Sequence, residues 1–224
     1  MDDPYQEGGG FLYENCPDVF LGRSGYGPLR VAWDTNILSD YADYGDLMWA
    51  DDFDPSVPDP NYHAELIALH ALMEIWLMRD IRIKIPERQI HDARRGLDAA
   101  TWKFRENQIN EFLAALRCIE LDVEIKNNVR AFDVLPEGST NDDWDESLVL
   151  EAIETGCHVF LTGDKRLRRR LQKNAQAAFL VIMPPTELVA ALDRTGDSGF
   201  GYMLPDTHKW KHVMGATKPR DADP

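Results

Sequence analysis

Four aspartates in this sequence stand where carboxylates could act together: Asp34, Asp92, Asp145 and Asp164. Asp34 closes the short apolar run Leu29-Arg30-Val31-Ala32-Trp33 and is followed by Thr35 and Asn36. Asp164 follows His158-Val159-Phe160-Leu161, a second apolar run that breaks into Thr162 and Gly163. Asp145 falls early in a helical stretch that feeds this second run, and Asp92 lies within the helix that Pro86 opens. Carboxylates that converge without bases between them repel and raise one another's pKa. A divalent cation removes that conflict, and an all-oxygen set favours Mg2+ or Mn2+ over zinc. Each acid also has a plainer role. Asp34 and Asp164 could simply cap the helices that follow them, worth about 1 kcal/mol each. Asp145, like Asp142 and Asp143, suits the first turn of a helix, where the dipole favours a negative charge. It is their joint placement at strand ends and helix starts that points to a shared site.

The elements that must position these residues follow from periodicity. Residues 29–33 read as a buried strand. Residues 37–44 suit a short helix, and a longer one begins near Asn61, the expected N-cap, with Leu66, Leu69, Leu72, Met73 and Trp76 at helical spacing. Ile81, Ile83 and Ile85 alternate with Arg82 and Lys84 as a second strand. Pro86 starts a helix that runs, with a break near Gly96, to Leu116, and residues 119–125 offer a further strand. A helix over 142–154 stops at Gly156, 158–161 is a strand, 165–173 a helix, 179–183 the last strand, and Pro184-Pro185 lead into a final helix to 192. Strands alternating with helices imply an α/β fold with a mainly parallel central sheet of 4–5 strands, whose functional groups gather at the carboxyl ends of the strands.

Charge is unevenly spread. The net charge is −15, which is unusual for a protein that binds phosphate, yet residues 1–60 alone carry −11 and the rest only −4. Within that remainder, residues 165–173 hold six bases and no acid, beginning with Lys165 and Arg166, so a basic groove beside Asp164 is compatible with an acidic chain. Such a helix cannot turn every base toward one groove, and a solvated face accounts for some of them. No apolar run is long enough to span a membrane, the acidic N-terminus lacks a signal pattern, and Cys16, Cys118 and Cys157 suggest neither a disulfide framework nor a zinc site, so a cytoplasmic setting is expected. His63 and His70 share a helix face but have no third ligand near. Trp33, Trp76, Trp102 and Trp144 read as core or packing residues rather than as base-stacking platforms.

With these residues in view, the sequence resembles the PIN-domain ribonucleases, which include the VapC-type toxins. Val31-Ala32-Trp33-Asp34-Thr35-Asn36 looks like that family's opening motif, Asp145 with Leu148 and Ala152 like its third acidic motif, and Leu161-Thr162-Gly163-Asp164 like its closing Thr-x-Asp. Asp92, where the family usually has Glu, matches the second acid; Glu87 competes for that place. The resemblance covers roughly 29–193, leaving outside it an irregular acidic lead-in (1–28), an acidic insertion (45–60) and an irregular tail (194–224). It implies a three-layer α/β/α PIN-like fold and a metal-dependent endoribonuclease. Asp34, Asp145 and Asp164, helped by Asp142, would hold Mg2+ or Mn2+, and Asp92 would complete the catalytic set. Thr35 or Asn36 would bond a carboxylate or a phosphate, and Thr162 would orient Asp34 or Asp164. Lys165, Arg166 and Arg94 would meet the RNA. A homodimer and an antitoxin partner are further implications.

Three rival readings have distinct signatures. A haloacid-dehalogenase-type phosphatase wants a second acid two residues after its nucleophile, and Asn36 occupies that place. A silent PIN-like binding or regulatory domain would be expected to have lost ligand acids. The acidic first 60 residues could also shield a groove, in which case deleting residues 1–28 should raise nuclease activity.

Overall fold

The computed structural model describes residues 9–50, 53–94, 96–119 and 141–194. In chain order the elements are β1 (Phe11–Leu12), α1 (Pro17–Phe20), β2 (Tyr26–Gly27), β3 (Leu29–Trp33), α2 (Thr35–Met48), α3 (Pro60–Met78), β4 (Ile81–Lys84), α4 (Glu87–Arg94), α5 (Ala99–Ile119), α6 (Asn141–Glu154), β5 (Val159–Leu161), α7 (Lys165–Ala177), β6 (Val181–Met183) and α8 (Pro185–Arg194). Strands β3 to β6 form one all-parallel sheet in the order β4-β3-β5-β6, while β1 and β2 pair as a separate antiparallel hairpin. The strand expected over 119–125 and the tail beyond 194 lie outside the described residues.

Side-chain alternation along the strands divides the interior in two. Val31, Trp33, Val159, Leu161, Val181 and Met183 face one core, completed by α2, α3, α5 and α8. Ala32, Phe160 and Ile182 face the other, completed by Leu148, Val149 and Ala152 of α6 and Leu167, Leu171 and Ala175 of α7. The result is the expected three-layer α/β/α arrangement. The first core is the larger and is centred on Phe112. The ring of Trp33 stacks on it at 5.0 Å, and Tyr41 and Trp76 lie 4.3 and 5.7 Å away. Trp33 immediately precedes Asp34, so the strand that delivers the first aspartate is anchored by a buried aromatic cluster.

Several boundaries differ from the sequence expectation for local reasons. Helix α2 starts at Thr35 and continues through Gly45 to Met48. Its second half is held to α5 by Arg105 donating to Asp43 and Gln108 donating to Asp46. The cap of α3 is Asp59, which accepts from the Asn61 amide at 2.9 Å, with Pro60 in the first helical position; Asn61 is inside the helix. Gly156 does end α6, with φ +69°, and the amides of Gly156 and Cys157 bond back to the carbonyls of Ile153 and Ala152. The same closure ends α7 without glycine. Phe179 takes φ +61°, and Phe179 and Leu180 donate back to Gln176 and Ala175, so the strand that follows begins at Val181 rather than at 179.

Residues 11–27, expected to be irregular, carry β1, α1 and β2 and bury Phe11, Cys16, Val19 and Phe20 in the larger core. Arg79 fastens this segment by donating to the carbonyls of Gly9 and Gly10 at 2.9 and 2.8 Å while its guanidinium lies 4.5 Å from the centre of the Phe11 ring. Among the described residues no helix is long and apolar enough to cross a membrane.

Candidate functional site

The chain enters the sheet at β3, moves outward to β4, then returns past β3 to β5 and continues to β6. Strand order therefore reverses between β3 and β5, and the carboxyl ends of parallel strands at such a reversal leave a crevice. Asp34 follows β3 and Thr162-Gly163-Asp164 follows β5 at that place, joined by the Asp34 amide donating to the Leu161 carbonyl at 2.9 Å. A cavity of about 460 Å³ opens here, lined by Asp34, Thr35, Asn36 and Ser39 from the start of α2 and by Asp92 from α4. Trp144, Asp145 and Leu148 of α6 and Asp164 and Arg166 at the start of α7 complete its wall. All four candidate catalytic aspartates border this one space, each delivered by a different element.

A hydrogen-bond network fixes the two strand ends against each other. Asp34, only 6% exposed, accepts the Thr35 amide on Oδ1 at 2.7 Å. Its Oδ2 accepts Asn36 Nδ2 at 2.8 Å and the Thr162 hydroxyl at 2.6 Å. Thr162 Oγ1 in turn accepts from Asn36 Nδ2 at 3.2 Å and from the Asp164 amide at 3.0 Å. Asn36 Oδ1 accepts the Gly163 amide at 3.2 Å, so this one side chain joins both loops. Burial drives the Asp34 carboxyl above its ordinary pKa, opposed by the Thr162 and Thr35 hydrogen bonds and reinforced by the nearby charge of Asp164. Asp164 caps α7, accepting the amides of Arg166 and Leu167 at 2.6 and 3.1 Å. Capping and a place at the cavity thus coexist in Asp34 and Asp164.

The remaining residues are placed as follows. Asp145 sits 3.4 Å from Arg170 Nη2 across α6 and α7. Asp142 belongs to α6, but its side chain, like that of Glu87, lies outside the described residues. Lys165 and Arg94 are exposed and away from the cavity wall; the Lys165 charge is felt by Glu65, and Arg94 lies over the Trp102 ring at 5.7 Å. The bases of α7 diverge as the helix requires: Arg166 reaches the cavity, Arg168 grips Glu187 of α8 at 2.5 and 2.6 Å, and Arg170 faces Asp145.

Three contributors were not singled out from the sequence. Ser39 lies one turn beyond Thr35 on the same face of α2, a spacing that could have flagged it. Gln89, fully buried three residues before Asp92, donates Nε2 to the Trp33 carbonyl and so ties α4 to the end of β3. Trp144, expected as packing, is half-buried on the cavity wall, whereas Trp33, Trp76 and Trp102 are buried in the core.

By type, the carboxylate oxygens here suit a hard divalent cation. Their present arrangement is not a ready-made metal site: among the described residues no three His, Cys, Asp or Glu side chains are grouped closely enough to hold an ion. The Asp34 carboxylate is instead satisfied by three protein donors, and Asp145 faces a guanidinium. No family model, curated protein or solved structure matches this chain.

Proposed function

We propose that this protein is a divalent-metal-dependent endoribonuclease akin to the PIN-domain ribonucleases. The observation that carries the reading is the convergence of Asp34, Asp92, Asp145 and Asp164, from four elements, on one open cavity where the strand order reverses. The four acidic motifs read in the sequence occur in the order the resemblance requires. Asp34, Asp145 and Asp164 would hold Mg2+ or Mn2+, with Asp142 at the start of the same helix as Asp145. When bound, such an ion lowers the pKa of a water and offsets charge on the phosphorus under attack.

The chain's own residues supply the rest. Thr162 and Asn36 hold the Asp34 carboxylate in one orientation, with the Thr35 amide opposing rotation of Oδ1. Arg166 places a permanent positive charge on the cavity wall, where the other charged residues are acids. Asp92 faces the same space from α4, where it can accept a proton or orient a water. Membership of a toxin–antitoxin pair, with an antitoxin partner, a homodimer and a cytoplasmic setting, belongs to this same proposal.

The test is cleavage of a labelled RNA by wild type, Asp34→Asn and Asp164→Asn in Mg2+ or Mn2+. Activity in wild type that EDTA abolishes and both variants lack supports the reading, with linear phosphate ends and no 2′,3′-cyclic phosphate, as attack by water in place of the ribose 2′-hydroxyl requires. Equal activity in all three proteins would remove it. Activity against small phosphomonoesters but no RNA would favour the aspartate-based phosphatase instead.

A further inference from the structure

Helix α6 packs on the sheet through Leu148, Val149 and Ala152. Trp144 precedes Leu148 by four residues and Ala152 by eight, so it prolongs the same buried stripe one turn further toward the helix start. The strands do not extend that far: β3 stops at Trp33 and β5 at Leu161, and beyond them lies the cavity. Trp144 therefore leaves the core and forms part of the cavity wall beside Asp145 and Leu148, half-buried, in a space that Arg166 also borders. Among the described residues its indole pairs with no other aromatic ring, whereas Trp33, Trp49 and Trp76 each do.

A large, partly wet aromatic surface that shares a cavity with a cation is the combination that binds an unpaired nucleotide, the base stacking on the ring and the phosphate on the guanidinium. The cavity, at about 460 Å³, lies within the range of small-ligand sites. A paired base is already stacked on its neighbours and offers no free face. We propose that Trp144 is a specificity residue that stacks on the base adjoining the phosphate held at Arg166, so that the cavity takes unpaired nucleotides and discriminates against duplex. The proposal rests on the nuclease reading only for which phosphate is cut; the stacking itself needs no reaction.

The test is equilibrium binding of the full chain, followed by fluorescence anisotropy with calcium in place of magnesium. The probes are a fluorescein-labelled oligouridylate, the same backbone lacking bases, and a duplex of equal length. Replacing Trp144 by Leu should weaken the single strand roughly 5- to 150-fold, the loss of one stacked base. Trp144→Phe, which keeps a ring, should stay within about threefold of wild type. The base-free strand and the duplex should bind more weakly than the single strand and be indifferent to either change. Arg166→Ala should weaken single and base-free strands alike and reduce the salt slope by about one. Unchanged single-strand binding by Trp144→Leu, equal losses for the base-free strand, or no single-strand binding by wild type would each overturn the proposal. Failure of the nuclease reading has a separate signature, the absence of cleavage in Mg2+ or Mn2+ while Trp144-dependent binding persists.

Discussion

The two ends of the same four strands are built in opposite ways. At the carboxyl end the chain leaves the sheet through polar residues, and Asp34, Asp92, Asp145 and Asp164 surround an open cavity. At the amino end, the segment of β1, α1 and β2 folds back over the sheet. There the buried His158 ring lies edge-on to Phe20 and Tyr13 at 5.0 and 5.3 Å, and its Nδ1 accepts the Arg30 amide at 3.1 Å. One end spends burial on holding a carboxylate that would be more stable in water; the other converts aromatic area into stability. Damage at the two ends should therefore separate activity from folding.

The largest separation is expected from Asp34→Asn. If this carboxylate holds the ion of the proposed nuclease, several kcal/mol of charge stabilisation at the phosphorus would go with it, and RNA cleavage should fall by about a hundredfold or more. Urea denaturation should show a loss of no more than about 1–3 kcal/mol, since the neutral amide is easier to bury than a carboxylate but its nitrogen meets a donor that a carboxylate oxygen had accepted. Concurrent unfolding would show that the carboxyl end is structural. Phe20→Ala is the mirror case. Loss of a fully buried ring at the amino end should cost about 3–5 kcal/mol by the same denaturation measurement, with cleavage per folded molecule preserved.

Thr162→Val probes the join between the carboxyl-end loops. It removes the hydroxyl that donates to Asp34 and accepts from the Asp164 amide. Cleavage should drop about 10- to 100-fold, and stability by about 1–3 kcal/mol as buried partners go unsatisfied. An active Thr162→Val enzyme would mean that the orientation of Asp34 does not matter.

The subtlest contrast is with pH. Burial, and then the charges of Arg23 and Arg30, push the pKa of His158 down to about 3 from an ordinary 6.5. As pH falls below 6.5 the unfolded chain takes up this proton while the folded chain does not, so stability declines until about pH 3 and no further below it. His158→Gln should flatten that part of the stability profile in acid titrations; an unchanged slope would assign acid sensitivity to the carboxylates instead.

The sequence made the carboxyl end legible and the amino end nearly invisible. Asp34 and Asp164 could be read because a short apolar run that stops at an aspartate has a definite meaning in a parallel sheet. Phe11, Val19 and Phe20 could not, because their apolar runs, Phe11-Leu12-Tyr13 and Val19-Phe20-Leu21, are only three residues long and are bounded by Gly, Glu and Asp. Their burial depends on remote partners, Arg79 and His158, that no local pattern announces. The position of Trp144 on the cavity wall was hidden for a related reason. Its place on the apolar stripe of α6 predicts packing, and only the length of the strands shows that the stripe outruns the sheet. Arg166 was separable from its basic neighbours only once α7 had a direction.

The central claim is that the carboxyl-end aspartates act as one metal-binding unit although, among the described residues, they are not gathered into one as they stand. Calorimetric titration with Mn2+ tests it most directly. Wild type should show saturable binding that Asp34→Asn, Asp145→Asn and Asp164→Asn each weaken strongly, while Asp43→Asn on the far part of α2 leaves it unchanged. Equal Mn2+ affinity across all of these proteins, or no saturable binding in any, would contradict the account.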